Sequence, residues 1–437
     1  MNKETLAALN RIEVPPGIVL GLGQNGLATI RALGRKGIPV IGIDSNLDQP
    51  TAKSRYCIRV QCDDFKAGGE GLLHCLLDIG KNLPCKGVLF PSGDLNLIVV
   101  SEGREALEPY FLFALPEKES VRLILNKNDF YKFALREGFP IAKTYFLKGL
   151  EEIQEAARQI SYPALIKPFL RDAAWREQHN LKLYEARSAE ELIRECEHIF
   201  PMHHEILIQE CIPGADSELS FSLTYLDRHL EPLAMFTGRK LRQEPPRFGT
   251  SSMAQSKWDP WIAETSISLL KALRYRGYGS VEFKRDPRDG AFKIIEVTGR
   301  TWYPHGLSTR CGVNLPYLAY CDLLGLKVER PQSFEEGVKW IDEDRDLRSS
   351  LQYHREGNLS LLAWIKSYRG KRTYALAAMD DPAPILSTIG RFGRGLLRRL
   401  GSLFVRHSGS VQWSKKGAGP QRPNAVKSGP SGLSGIQ

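Results

Sequence analysis

Apolar runs of strand length alternate with amphipathic helical stretches over residues 17–115. The strand-like runs are IVLGLG, PVIGID, YCIRV, GVLFPS and FLFALP, and the helical stretches are GLATIRALGRKG and GGEGLLHCLLDIGKN. This alternation predicts an α/β fold with a parallel, helix-covered sheet. Asp94 follows the run GVLFPS, at the carboxyl end of a strand, where ligands bind in open α/β sheets. It is therefore a site candidate, with a helix N-cap as the alternative.

The pattern changes after residue 125 to a mixture of helices and antiparallel strands. A capped helix, NKNDFYKFALREGFP, precedes the short apolar strands PALIKP and EILIQECIPG. The stretches SELSFSLTYL and HLEPLAMFTGRKL alternate as antiparallel strands do, and YGSVEFKRDPRDGAFKIIEVTGR predicts a hairpin that turns at Asp289-Gly290. The hairpin places Glu282 and Glu296 on neighbouring strands, and this part of the chain predicts an α+β fold.

The first strand ends in a glycine-rich turn with the G-x-G-x-x-G spacing. Gly21, Gly23 and Gly26 form the pattern, and Asp44 follows at the end of the second strand. Taken alone, this is the fingerprint of a dinucleotide-binding βαβ unit. The same turn also lets a helix pack tightly on a strand without any cofactor. Since the rest of the chain carries no pattern of a hydride-transfer pocket, the packing interpretation is favoured.

The net charge of +10 is informative about binding partners only when its distribution along the chain is considered. Residues 383–437 contain nine arginines and lysines and no acidic residue, so the rest of the 437-residue chain is almost neutral. A basic tail on a neutral body argues against a nucleic-acid partner. The length itself suggests two to four domains.

The N-terminus, MNKETLAALNRIEVPP, lacks a secretory signal pattern, and no apolar run approaches the roughly 20 residues of a membrane span. The eight cysteines include no C-x-x-C pair, which predicts free thiols rather than a zinc site. These features predict a cytoplasmic protein.

A basic amphipathic stretch at 384–406 adds the expectation of peripheral contact with the inner membrane surface. Its apolar positions recur at three and four residues with arginines largely opposite, and they are Ile389, Phe392, Leu396, Leu400 and Leu403. Helices of this kind lie on anionic membrane surfaces. The alternative interpretation is that these apolar residues pack on the rest of the protein or that the stretch is disordered.

Four charged residues are embedded in otherwise apolar strands. Lys167 lies in ALIKP, Glu210 in LIQECIPG, Glu282 in SVEFK and Glu296 in KIIEV. A buried charge is costly unless it is paired or bound to a ligand. A lysine together with several carboxylates therefore indicates a site that holds phosphates and a divalent metal.

A cross-strand ion pair is the structural alternative for the two hairpin glutamates. Lys284 or Lys293 would be the partner of Glu282 or Glu296. Side chains alternate along a strand, and Lys284 and Lys293 are both taken to face away from the glutamate of their own strand, which favours the metal pair.

At this point the sequence resembles the ATP-grasp carboxylate-amine ligases, in particular the group that includes D-aspartate ligase-like proteins. The resemblance rests on the order and spacing of NKNDF, PALIKP, LIQECIPGADSE, GRKLRQEPPRFGTSS, GSVEFKRDPRDG and IIEVTGRTWYPHGLSTRCGVNLPYLAYCDLLG. It implies a Rossmann-like pre-ATP-grasp domain at 1–124 and a two-lobed ATP-grasp domain at 125–326. A C-terminal extension at 327–382 and a basic tail at 383–437 complete the expected organisation.

The resemblance also implies roles for individual residues, with ATP and Mg²⁺ as cofactors. The nucleotide would be bound by Lys127, Lys167, Gln209, Glu210, Cys211, Ile212 and Glu218. Within this set the two lysines neutralise phosphates, residues 209–212 read the adenine, and Glu218 accepts from the ribose. Arg300 and Lys240 would act on the transferring phosphoryl group.

The magnesium ligands implied by the resemblance are Glu282, Glu296 and Thr298. The family usually reads Glu-x-Asn-x-Arg at this strand, whereas here Thr298 stands in the place of the asparagine. A threonine hydroxyl is a poorer ligand for Mg²⁺ than an amide oxygen, so the second of two ions is the doubtful one.

The implied reaction is an ADP-forming ligation of a small carboxylate or amino acid to an amine through an acyl phosphate. Small-molecule carboxylates and amines would then be the partners. The alternative is a non-catalytic or membrane-associated nucleotide-binding regulator, suggested by Thr298 and by the basic tail.

Overall fold

The computed structural model describes residues 7, 9, 11–62, 69–149, 151–168, 183–200 and 206–391. Most of the basic amphipathic stretch at 384–406 lies outside the described residues, and its membrane contact stays a prediction. Within these ranges, no helix is both long enough and apolar enough to cross a bilayer.

The N-terminal part forms the predicted parallel sheet, with strand order β3-β2-β1-β4-β5. Its elements are β1 Gly17–Leu20, α1 Gln24–Gly34, β2 Val40–Asp44, β3 Ile58–Gln61, α2 Glu70–Lys81, β4 Gly87–Pro91, α3 Asp94–Glu102, α4 Arg104–Leu107, β5 Phe111–Leu112 and α5 Lys118–Leu125. Gly17 pairs with Val40 on one side and with Val88 on the other, so β1 is central. The carboxyl ends of β1 and β4 therefore lie side by side.

The glycine turn after β1 serves close packing of α1. A Cβ atom on Gly26 would lie 2.0 Å from the carbonyl oxygen of Gly21, whose φ is +95°. The carboxylate of Asp44 accepts a hydrogen bond from the Leu22 amide at 2.7 Å. These contacts explain the glycine spacing by the geometry of the strand–helix junction.

A second sheet has the order β6-β9-β7-β8, and its paired strands are antiparallel. This part contains α6 Lys127–Arg136, β6 Thr144–Leu147, α7 Glu151–Gln159, β7 Ala164–Pro168, β8 Tyr184–Ala186, α8 Ala189–Ile199 and β9 Ile206–Glu210. The N-cap of α6 is Asn126, and that of α8 is Ser188, whose side chain accepts from the Glu191 amide.

The largest sheet has the order β14-β13-β10-β11-β12-β15-β16. Its strands are β10 Leu219–Leu226, β11 Pro232–Glu244, β12 Thr250–Ser256, β13 Gly277–Arg285, β14 Phe292–Thr298, β15 Lys339–Ile341 and β16 Arg372–Tyr374. The accompanying helices are α9 Pro260–Ala272, α10 Gly306–Arg310, α11 Leu315–Leu323, α12 Glu343–Arg355 and α13 Leu361–Ser367.

The region predicted as a C-terminal extension contributes to this sheet. Its strand β15 pairs with β12, and β16 pairs in parallel with β15. The predicted domain boundary between residues 326 and 327 therefore separates strands that are hydrogen-bonded to each other in one sheet. The domain boundaries stay a prediction.

A buried ion pair ties the segment after β16 to the N-terminal sheet. Arg31 on α1 donates to Asp381 at 2.9 Å and to the carbonyl oxygens of Ala375 and Leu376 at 3.2 and 2.8 Å. Ser54 donates to the same carboxylate at 2.8 Å. The side chains of Arg31 and Asp381 are almost completely buried, so this contact is a structural connection and not a solvated surface pair.

Candidate active site

A cavity of about 490 Å³ opens between the three sheets. Eleven of the predicted site residues line it: Lys127, Lys167, Gln209, Glu210, Cys211, Ile212, Lys240, Glu282, Glu296, Thr298 and Arg300. Asn25, Ser92 and Asp94, at the carboxyl ends of β1 and β4, form part of the same wall. The volume is in the range of a small-molecule or cofactor site.

Glu218 is the predicted site residue that does not line this cavity. It ends a short 3-10 turn, Asp216–Glu218, directly before β10. The wall is formed instead by Leu219, the next residue, and by Lys284, its partner on β13. The ribose contact assigned to Glu218 stays a prediction.

Lys167, near the end of β7, is held by a neutral partner. Its ammonium donates to the side-chain oxygen of Gln209 at 2.6 Å and lies 5.5 Å from the centre of the Tyr131 ring. Burial lowers the pKa of Lys167 to about 7, and the Lys127 ammonium acts in the same direction. Glu296 opposes this shift only in part. The group is thus prepared to gain a proton when anionic charge enters the cavity.

The side chain of Glu210, at the end of β9, is engaged within the protein. Its carboxylate accepts from the Lys143 amide at 3.1 Å, from Arg288 at 3.1 Å and from Lys293 at 3.2 Å. Burial opposes ionisation, but these three donors hold the pKa of Glu210 below its usual range. The side chain thus anchors the end of β9 to the β13–β14 hairpin.

Glu282 forms a buried ion pair with Lys240, at 2.6 Å, and accepts from the Trp302 indole at 3.0 Å. This pairing differs from the predicted alternative, in which Lys284 or Lys293 was the partner. Lys293 instead contacts Glu210 and Asp286. The Lys240 ammonium also donates to Gln243 at 3.2 Å, and its action on the transferring phosphoryl group stays a prediction.

The hairpin can supply the oxygen ligands of a divalent cation. Glu282 and Glu296 are register partners on β13 and β14, and both line the cavity with Thr298. Each oxygen of Glu282 accepts one hydrogen bond, from Trp302 or from Lys240, and retains a second lone pair. Mg²⁺ takes few protein ligands and completes its octahedron with phosphate oxygens and water. The residues therefore fit this ion.

No protein-family model matches the chain. Its sequence is similar to D-aspartate ligase from Enterococcus faecium (strain Aus0004), with 24% identity over 240 residues, which cover 53% of this chain and 57% of the ligase. The chain thus spans little more than half the length of this relative.

Two solved structures show the architecture. The biotin carboxylase domain of Hydrogenobacter thermophilus 2-oxoglutarate carboxylase, solved with MgADP, gives a TM-score of 0.56 at 18% identity, covering 72% of this chain and 70% of that one. L-amino acid ligase from Bacillus licheniformis gives 0.53 at 16% identity, covering 71% and 74%. The protein has an ATP-grasp fold. The predicted fold class and the resemblance to ATP-grasp ligases are confirmed.

In this ATP-grasp chain, Arg300 connects the large sheet to the N-terminal part. It follows β14 and its guanidinium donates to Asp94 at 2.6 Å, at the beginning of α3. Asn25 on α1 lines the neighbouring wall. Both residues of the pair line the cavity.

Several residues that line the cavity were not predicted. They are Arg247, Phe248, Lys284, Trp302 and Tyr303. The alternation argument was wrong for Lys284, because this residue lies two positions after Glu282 and strand periodicity puts both on the same face. Arg247 belongs to the β11–β12 connection and pairs with Glu185 on β8 at 2.6 Å. Such a contact between distant segments cannot be predicted from the local sequence pattern.

Proposed function

We propose that this protein binds Mg-ATP in the 490 Å³ cavity and joins a small carboxylate to an amine, with release of ADP and phosphate. The observation that carries the proposal is the convergence of Lys127, Lys167, Glu282, Glu296 and Arg300 on one cavity. Cations and oxygen ligands in that combination suit a magnesium polyphosphate. Similarity to D-aspartate ligase supports an amino acid as one of the substrates.

The chain's own groups act by positioning and charge neutralisation. Lys127 and Lys167 bind phosphate oxygens, and Arg300 meets the charge that develops on the transferring phosphoryl group. The substrate carboxylate oxygen attacks the γ-phosphorus and ADP leaves with the electrons of the broken bond. The amine then attacks the acyl phosphate, loses a proton and expels inorganic phosphate. Mg²⁺ held by Glu282 and Glu296 would reduce the repulsion between these anions.

A direct test is the release of ADP and phosphate from Mg-ATP in the presence of single amino acids and small carboxylates. We expect release that depends on one carboxylate class, and a hydroxamate product when hydroxylamine replaces the amine. Lys127→Met should lose most of this activity, whereas Lys118→Met, on the preceding helix α5 outside the cavity, should retain it. Carboxylate-independent release, or none with any substrate, would argue against a ligase.

Nucleotide binding should take up a proton through Lys167. Its pKa of about 7 in the free protein means that about nine-tenths of the side chain is neutral at pH 8. Bound phosphates favour the charged form and raise this pKa. We therefore expect uptake of about 0.9 proton per MgADP at pH 8 and little from this group near pH 6. Calorimetry in buffers of different ionisation enthalpy measures this number.

Two variants test the assignment of this proton. Lys167→Met removes the titrating group, and Gln209→Glu places a carboxylate at the 2.6 Å contact and keeps the lysine charged. Both should abolish the uptake at pH 8, the second without removing the cation. Undiminished uptake in Lys167→Met would assign the proton to another group.

A further inference from the structure

Besides its charged residues, the cavity lining contains several apolar side chains. They are those of Leu165, Leu183, Cys211, Ile212 and Leu219. One cation, the half-buried side chain of Lys284, lines the same cavity, and Lys284 pairs with Leu219 across neighbouring strands. A lysine in such surroundings needs an explanation, because burial without a partner disfavours the ammonium.

Among the described residues, the Lys284 ammonium makes no hydrogen bond or ion pair. Burial lowers the pKa of Lys284, and the nearby Arg247 contributes to the shift, while Cys211, Asp216 and Glu218 oppose it. Lys167, Lys240 and Arg300 in the same cavity each have a partner at 2.6 Å. Lys284 therefore differs from these three cations in offering three unused donors to the cavity.

The position of Lys284 along β13 locates those donors relative to the phosphates. It lies two residues beyond Glu282 on the same face, which is about 7 Å along the strand. Lys167 on β7 and Cys211, directly after β9, line the same cavity as Lys284. The sugar and base of a bound nucleotide would lie at about this distance from its phosphates.

We infer that Lys284 binds the nucleoside part of the nucleotide, through the ribose oxygens and the purine ring, and supplies the polar contact first expected from Glu218. This inference rests on the proposed function. An ammonium donates to hydroxyl and ring-nitrogen acceptors, and it is attracted to the face of an aromatic ring. The apolar side chains that line the cavity together with Lys284 enclose the flat faces of the base.

The test compares a ligand that has a nucleoside with one that has only phosphates. The affinities of MgADP and of magnesium tripolyphosphate are measured by calorimetry for the wild type and for Lys284→Met. We expect MgADP to bind about tenfold more weakly to Lys284→Met, because a hydrogen bond from a charged group to the nucleoside is lost. Tripolyphosphate affinity should change less than about twofold.

Two further variants complete the experiment. Lys271→Met removes an exposed lysine on α9 that pairs with Glu231, and it should leave both affinities unchanged. Lys127→Met should weaken both ligands. Lys284→Met should fold at least as stably as the wild type, because it removes a half-buried cation without a partner.

Each outcome bears on the inference. Unchanged MgADP affinity in Lys284→Met would overturn it, and an equal loss for both ligands would make Lys284 a phosphate ligand and overturn it as well. A wild-type chain that binds neither ligand would overturn the proposed function, and the inference with it. Selective loss of the nucleoside-bearing ligand supports both.

Discussion

Glu296→Gln should reduce Mg-ATP turnover by about 10²–10³ while leaving the free energy of unfolding almost unchanged. Glu296 is exposed in the cavity, so the substitution creates no buried uncompensated charge. The amide lacks the negative charge and one of the oxygens that a bound Mg²⁺ would use. Initial rates of ADP release and urea unfolding measure the two quantities on the same preparation.

Glu282→Gln, on the neighbouring strand, gives the matched comparison. Glu282 is buried and paired with Lys240, so its loss leaves a buried ammonium without a counter-charge. We expect lost turnover together with a destabilisation of about 3–5 kcal/mol. Glu264→Gln, at an exposed position of α9 outside the cavity, should change neither quantity. Retention of more than about a tenth of the turnover by Glu296→Gln would contradict a metal role for that side chain.

Asp381→Asn should lower the free energy of unfolding by about 3–5 kcal/mol. The carboxylate is fully buried and accepts from Arg31, from Ser54 and from the Arg55 amide. Removing its charge leaves the Arg31 guanidinium in the interior with only carbonyl partners. Urea unfolding followed by circular dichroism measures the loss, and the midpoint should fall with it.

The adjacent Asp380 is the natural control. It pairs with Arg35 at 2.7 Å, but both side chains are 43% exposed. Asp380→Asn should therefore cost about 1 kcal/mol or less. Equal losses for the two variants would mean that burial of the Arg31–Asp381 pair is not what connects the C-terminal segment to α1.

Parts of the site could be predicted because they follow from local periodicity. Lys167, Glu282 and Glu296 stand out as charges in apolar strands, and an apolar strand is recognisable from a few residues. Their spacing along the chain also matched the order of segments in ATP-grasp proteins. All three line the same cavity in the structure.

The partners of these residues could not be predicted in the same way. Lys240 pairs with Glu282 across the intervening strand β10, in a sheet where the pairing shifts register at Lys240 and again at Glu282. Each shift displaces a side chain relative to simple alternation. Arg288 and Lys293 reach Glu210 from a different sheet, and hydrophobic patterning carries no information on such contacts.

The amino-acid sequence by itself determined the order of strands and helices, the parallel N-terminal sheet, and which charged residues are too costly to bury unpaired. These properties depend on side-chain periodicity and on the free energy of transferring single groups from water. Only the tertiary structure decided that Lys240 neutralises Glu282, that Glu218 lies off the cavity, and that Lys284 faces it without a partner. Those outcomes depend on distances between residues far apart in the chain, because electrostatic pairing follows separation in space.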